Sequence, residues 1–183
     1  AKKVTGLGEK YFPFFDNYGQ YKHGDWAEKI HSDAQLKKEH ERELAELAAT
    51  PDPVEWDRFG GWKNGPQLEA TGSFRTEKYE GKWFFVTPEG RLFWSTGIDV
   101  LRTNTDSIKG VGHEKWFSRE VPENGILPFT EWNLQIRYGK ADFAPEFYEV
   151  LVKRLRAWGI NTVGNWGASD LMLMGKMPNT LQL

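Results

Sequence analysis

Residues 145–166, PEFYEVLVKRLRAWGINTVGNW, contain a helix pattern that is followed at once by a strand pattern. The apolar residues of the first part recur at helical intervals of three or four positions: Phe147, Leu151, Leu155 and Trp158. Pro145 suits the first helical turn, and Gly159 suits the residue that ends the helix. Residues 160–166 then predict a buried strand, so this stretch is one α/β unit.

A second strand pattern lies upstream of this unit, at residues 96–101, TGIDVL. Strands that are connected through a helix run parallel, so we predict a parallel βαβ pair between residues 96–101 and 160–166. Residues 179–183 indicate the start of a third strand. The long connection over residues 103–141 favours a functional loop with short helical turns, because passive loops of that length are uncommon.

The N-terminal part has a different pattern. Residues 1–31 are rich in aromatic residues without helical or strand periodicity, which predicts an extended segment lying against another surface. Ser32 and Gln35 match a capping box, so a helix is expected from about residue 33 to 49. Residues 54–72 predict an irregular linker, and the short apolar runs between 74 and 94, joined by glycine-containing turns, predict a β-meander.

Composition excludes several classes of function. The 183 residues carry 24 basic and 26 acidic side chains, a net charge of −2, whereas an electrostatic nucleic-acid surface is basic. Apolar runs such as residues 83–86 are too short to span a bilayer. The chain has no cysteine and therefore no disulfide or zinc-thiolate site. Its four histidines are scattered and it lacks a nucleotide-binding glycine loop, so we expect no metal and no cofactor.

Four residues are candidates for substrate contact because of their position. In an α/β barrel, the C-terminal ends of the strands face the active site. Asp99 and Arg102 follow the first parallel strand, and Asn165 and Trp166 follow the second. Asn165 offers a hydrogen bond to a hydroxyl, and Trp166 offers a flat face for a sugar ring or, alternatively, a core side chain. Asp99 either contacts substrate or is a buried carboxylate that pairs with Arg102 or caps a turn.

Carboxylates and the remaining tryptophans give weaker signals. Glycosidic bonds are usually cleaved by a pair of carboxyl groups, one as acid and one as nucleophile or base. No two carboxylates of this sequence are placed convincingly for that chemistry, because Glu146 and Glu149 lie on a solvated helix face and the others lie in the linker or the meander. Trp83 and Trp94, on the meander strands, are expected to pack in the core.

Several segments resemble the β-agarases of glycoside hydrolase family 50. The most specific are residues 15–33, FDNYGQYKHGDWAEKIHSD, and 59–68, FGGWKNGPQL. Looser matches are residues 81–83, 88–95 and 158–166, the last of which has the sequence WGINTVGNW. The resemblance spans nearly the whole chain.

The resemblance implies an α/β fold that contains the first two to three strands of a (β/α)8 barrel, preceded by the β-meander and an irregular, helical N-terminal segment. It divides the chain into an N-terminal extension, residues 1–72, and the start of a truncated catalytic barrel, residues 73–183. It also implies retaining hydrolysis of β-1,4 bonds in agarose by two glutamates after the fourth and seventh strands. Both would lie beyond Leu183, so this chain alone is expected to be inactive.

The same resemblance implies a polysaccharide or oligosaccharide as partner, with no nucleic acid and no membrane, and a secreted or periplasmic protein, although residues 1–31 contain no signal-peptide pattern. Asp99, Arg102, Asn165 and Trp166 become possible sugar contacts. Three alternatives stay open: a barrel hydrolase of another galactose-based polysaccharide, a non-catalytic carbohydrate-binding module, and a structural domain whose aromatic residues are all core. The βαβ pair is unlike the all-β modules.

Overall fold

The computed structural model of the protein describes residues 8–106 and 108–181. The chain forms two compact units, of which unit 1 comprises Ala1–Glu41 and Thr103–Phe143, and unit 2 comprises Arg42–Arg102 and Ala144–Leu183. The expected division into an extension, 1–72, and a catalytic part, 73–183, stays a prediction.

The described residues form four α-helices and seven short strands. In chain order they are α1 (Asp33–Ala49), β1 (Arg75–Tyr79), β2 (Lys82–Val86), β3 (Leu92–Phe93), β4 (Gly97–Ile98), β5 (Ile108–Lys109), β6 (Ile126–Leu127), α2 (Phe129–Tyr138), α3 (Ala144–Ala157), β7 (Thr162–Val163) and α4 (Ser169–Leu173). Single 3₁₀ turns lie at Glu9–Tyr11 and Glu114–Trp116. No helix among the described residues has both the length and the apolar character that crossing a membrane requires.

Unit 1 is built around aromatic packing. The Phe15 ring stacks on the Phe117 ring with centroids 5.3 Å apart, and Phe117 and Phe129 belong to a small buried core with Leu127. The backbone N–H groups of residues 14 and 15 both donate to the carbonyl of Trp116, at 2.7 and 2.8 Å. The N-terminal aromatic segment therefore lies against another part of the chain, as predicted.

The expected helix over residues 33–49 is confirmed as α1. The Ser32 hydroxyl accepts a hydrogen bond from the Gln35 N–H at 3.1 Å. The Gln35 side chain in turn accepts from the backbone N–H of His31, at 3.0 Å. The first bond satisfies an amide that the first helical turn leaves free, and the second ties the residue before Ser32 to the helix, which fixes where α1 begins.

Unit 2 contains the β-meander and the parallel strands. β1, β2 and β3 form an antiparallel sheet in chain order, so the meander is confirmed. β4 pairs in parallel with β7, with Gly97 opposite Thr162 and Ile98 opposite Val163. Val163 also forms a parallel bridge with Asn179, where the third strand was expected; its last two predicted residues, 182 and 183, lie outside the described part. The fold is therefore a mixed α/β arrangement with small sheets, and the barrel stays a prediction.

Helix α3 supplies most of the core of unit 2. Its buried residues pack around Val163, Leu171 and Met177: Tyr148, Leu151, Val152 and Leu155. The helix ends as predicted, with Gly159 in the left-handed region and the Ile160 N–H bonded to the Leu155 carbonyl at 2.8 Å. Trp158, which was expected on the apolar face, is exposed, because the buried face of α3 is centred on residues 148–155.

The prediction that Trp83 and Trp94 pack in the core is wrong, since the two side chains are 70% and 76% exposed. Successive side chains of a strand point to opposite faces of the sheet. The side of β2 that carries Val86 is the more buried one, which leaves Trp83 and Phe85 on the outer face. Every residue of this run except Lys82 is apolar, so alternation alone could not identify the buried face.

Tyr18 in unit 1 provides a pH-dependent prediction. Partial burial raises the pKa of its phenol to about 12, and the hydrogen bond it donates to Asp33 Oδ1 at 2.8 Å, together with that negative charge, adds to the effect. Because the raised pKa favours the neutral phenol in the folded state, its contribution to stability is present below about pH 10 and is lost as the pH rises towards 12. Tyrosinate absorption should show one late-titrating tyrosine that Tyr18→Phe abolishes; an unchanged titration curve in that variant would contradict this.

Candidate functional site

The four predicted site residues lie at one edge of the parallel pair in unit 2. Asp99 and Arg102 follow β4, and Asn165 and Trp166 follow β7, and the C-terminal ends of two parallel strands share one edge. We call these four residues the strand-end site.

Reciprocal hydrogen bonds hold the two segments of this site together. The Asn165 N–H donates to Asp99 Oδ1 at 2.8 Å, and the Val100 N–H donates to the Asn165 carbonyl, also at 2.8 Å. A side chain at Gly164 would place its Cβ 2.1 Å from Asp99 Oδ1, so the carboxylate can take this position only over a glycine. Asp99 thus caps the turn that follows β7.

Of the alternatives for Asp99, the turn cap is found, whereas its burial and its pairing with Arg102 are wrong. Both side chains are exposed, and in the described part of the chain no ion pair joins them. A turn cap needs no burial, because the exposed carboxylate accepts its hydrogen bond at the surface. The Arg102 side chain is exposed, and no hydrogen bond or ion pair joins its guanidinium to another described residue.

Backbone strain marks the same edge. Val100 and Trp166 have φ values of 61° and 58°, in the left-handed region that residues other than glycine rarely adopt. Such a conformation costs about 1–3 kcal/mol and is concentrated at ligand-binding and catalytic sites. Trp166 is 56% exposed, so no part of the described chain buries its side chain.

Asn161, which sequence reasoning did not single out, lies buried at the opposite, N-terminal end of the same strands. Its side-chain oxygen accepts from the Thr96 N–H at 2.8 Å and from the Thr162 hydroxyl at 3.1 Å. Its amide donates to the carbonyls of Gly60 at 3.1 Å and Trp94 at 2.9 Å. One side chain therefore joins the linker, the meander and both parallel strands.

Beside Asn161 is a cavity of about 550 Å³ that sequence reasoning also missed. Its lining includes six aromatic and three charged residues: Trp56, Trp62, Tyr79, Phe84, Phe93, Trp94, Glu55, Glu80 and Lys82. We call it the aromatic cavity. The number of tryptophans was the only signal in the sequence, because the residues come from four separate segments. Within the described residues, no group of three His, Asp or Glu side chains is arranged to hold a metal ion.

No protein-family model matches the chain. Beta-agarase B of Vibrio sp. (strain JT0107) is 30% identical to it over 198 residues, covering 86% of this chain and 21% of that protein. Beta-agarase A of the same strain is 25% identical over 197 residues, covering 92% of this chain and 20% of that protein.

Solved structures give the same result. The agarase AgWH50C matches with a TM-score of 0.82 and 30% identity, over 94% of this chain and 30% of that one. An exo-beta-agarase matches with a TM-score of 0.79 and 28% identity, over 93% of this chain and 30% of that one. The chain thus spans about a fifth of the curated relatives and about 30% of the solved structures. The resemblance found in the sequence is confirmed, and the chain is a homologue of the β-agarases of glycoside hydrolase family 50.

Proposed function

We propose that the protein to which this chain belongs is a β-agarase, a glycoside hydrolase that cleaves β-1,4 bonds in agarose or agaro-oligosaccharides. The observation that carries the proposal is the similarity to Beta-agarase B and to solved agarases over most of the chain. Its parallel pair β4–β7 provides the first strands of a (β/α)8 barrel, and the protein works outside the cytoplasm, as a secreted or periplasmic enzyme, because its substrate is a polymer.

The proposed mechanism is retaining and uses two glutamates outside this chain. One protonates the leaving oxygen while the other attacks the anomeric carbon, and water then releases the covalent intermediate with net retention. In this arrangement residues 1–183 supply sugar contacts but no catalytic group. This chain alone is therefore expected to be inactive.

The strand-end site supplies the contacts. The Trp166 indole stacks on the C–H face of a sugar ring, and the side-chain amide of Asn165 and the guanidinium of Arg102 hydrogen-bond hydroxyl groups. Asp99 holds the turn of residues 165–166 through its bond to the Asn165 N–H. It is thus a positioning residue that also leaves one carboxylate oxygen for substrate.

The direct test is an assay of the complete protein for new reducing ends on agarose and on other galactans. Hydrolysis of agarose with retention of the anomeric configuration is expected, together with no turnover by residues 1–183 alone. Activity confined to another galactan would favour the other barrel hydrolase, and binding without any hydrolysis would favour a carbohydrate-binding module. Turnover by residues 1–183 would contradict the placement of the glutamates.

Replacing Trp166 by alanine should lower kcat/KM on agaro-oligosaccharides by about two- to tenfold, because an aromatic stacking contact contributes about 0.5–1.5 kcal/mol. Trp158→Ala is the matched control, since Trp158 is equally exposed but lies at the end of α3, away from the strand-end site. Equal kcat/KM values of the two variants would show that Trp166 does not contact the substrate.

A further inference from the structure

The aromatic cavity lies at the opposite end of the parallel strands from the strand-end site. Thr96, Gly159 and Asn161 line it just before β4 and β7 begin, whereas Asp99 and Asn165 follow the ends of those strands. Its volume of about 550 Å³ is within the range of about 300–1,000 Å³ that is typical of ligand sites. A molecule bound in it is therefore separate from the strand-end site.

Two exposed tryptophans, Trp62 and Trp94, line this cavity. Trp62 is 51% exposed, and its indole lies so close over Gly65 that a Cβ there would come within 2.4 Å of the ring. The backbone N–H of Trp62 also donates to the Leu92 carbonyl at 2.8 Å. The Trp94 carbonyl is held by the Asn161 amide. The backbone is thus held at both residues, and both side chains remain largely exposed.

The charged groups of the cavity have mixed sign. Two carboxylates, Glu55 and Glu80, and one ammonium, Lys82, line it together with the aromatic rings. Mixed donors and acceptors suit a neutral ligand with many hydroxyl groups better than a phosphate or sulfate, and a purely apolar ligand would leave these charges without hydrogen bonds.

Glu80 adds a second observation. It occupies the first position of the two-residue turn between β1 and β2 with φ of 46°, a conformation for which Asn or Gly is strongly preferred. A long acidic side chain at this strained position is unexplained by the turn itself. Strain of this kind is typical of residues whose side chain is needed at a binding site.

We propose that the aromatic cavity is a second carbohydrate-binding site, which takes a stretch of neutral galactan chain. The proposal rests on the proposed function for the identity of the sugar. The faces of Trp62 and Trp94 stack on the sugar rings, and Glu55, Glu80 and Lys82 bind the hydroxyl groups. Because the cavity contains none of the strand-end residues, it holds the polymer without taking part in bond cleavage.

The test measures adsorption of the complete protein to insoluble agarose, with hydrolysis measured separately in the same samples. The double variant Trp62→Ala/Trp94→Ala is expected to adsorb at least tenfold more weakly than the wild type. Trp83→Ala removes a similarly exposed tryptophan from the outer face of the β1–β3 sheet. Its adsorption should stay within twofold of the wild type. Circular dichroism confirms that each variant is folded.

A further variant, Glu80→Gly, tests the site in a protein that is expected to fold at least as stably as the wild type. Glycine removes the backbone strain, so its thermal midpoint should equal or exceed that of the wild type, while adsorption falls severalfold. Wild-type adsorption by the tryptophan variants would overturn the second site and leave the proposed hydrolase standing. Failure of acrylamide to quench Trp62 and Trp94 fluorescence in the complete protein would overturn it too, because another part of the polypeptide would then fill the cavity. Adsorption without hydrolysis would instead refute the proposed enzyme alone.

Discussion

Replacing Asn161 by alanine should destabilise unit 2 by about 3–5 kcal/mol. The buried side chain makes four hydrogen bonds: it accepts from Thr96 and Thr162 and donates to Gly60 and Trp94. Its removal leaves those groups unpaired at a cost of about 1–3 kcal/mol for each buried one, reduced where water enters from the aromatic cavity. Denaturant unfolding with amide hydrogen exchange in β4 and β7 measures the effect.

Asn165→Ala is the matched control for this substitution. Asn165 lies four residues further along the same segment, and no described residue hydrogen-bonds its side-chain amide, so its loss should change the stability of unit 2 by less than about 0.5 kcal/mol. Equal denaturation midpoints for Asn161→Ala and Asn165→Ala would show that the Asn161 network contributes no net stability.

Replacing Lys29 by methionine should destabilise unit 1 by about 3 kcal/mol. The Lys29 ammonium group is buried and donates to three backbone carbonyls, those of Tyr21, Lys22 and Gly24. It also lies 5.1 Å from the centre of the Trp26 ring. Hydrogen bonds to a charged group contribute about 1.5–3 kcal/mol each, and methionine preserves the volume of the side chain but none of the bonds.

Lys22→Met provides the comparison, because Lys22 is exposed and the substitution removes the same charge. Its effect should stay within about 0.5 kcal/mol. Hydrogen exchange of the amides of residues 14–30 should accelerate in Lys29→Met and not in Lys22→Met. Unchanged exchange in both variants would mean that the buried ammonium group does not hold this segment.

Local periodicity and capping were sufficient to predict the main elements. Three elements depend on residues that are only a few positions apart, so short stretches of sequence contain their signals. They are the helix at 33–49, the helix that ends before Gly159 and the three-stranded meander. The strands β5 and β6 were not predicted, because two residues provide no periodicity. The outer face of β2 was assigned wrongly because its residues are apolar on both sides.

The candidate sites differ in how much the sequence reveals. The strand-end residues could be identified, because position after a predicted strand is itself a sequence feature. The hydrogen bonds of Asn161 could not, since its partners Gly60, Trp94 and Thr96 lie far away in the chain. The exposure of Trp62 and Trp94 likewise depends on tertiary packing, which the pattern of neighbouring residues does not encode.

The stacking of Phe15 on Phe117 has a consequence for the order in which the protein folds during synthesis. Unit 1 combines residues from both sides of the segment 42–102, so its core has a high contact order. The first aromatic residues leave the ribosome long before their partners, and the loop between them must close before any packing energy is gained. Phe15 therefore lacks its stacking partner until Phe117 has been synthesised, and transiently exposed aromatic surface of this kind favours aggregation.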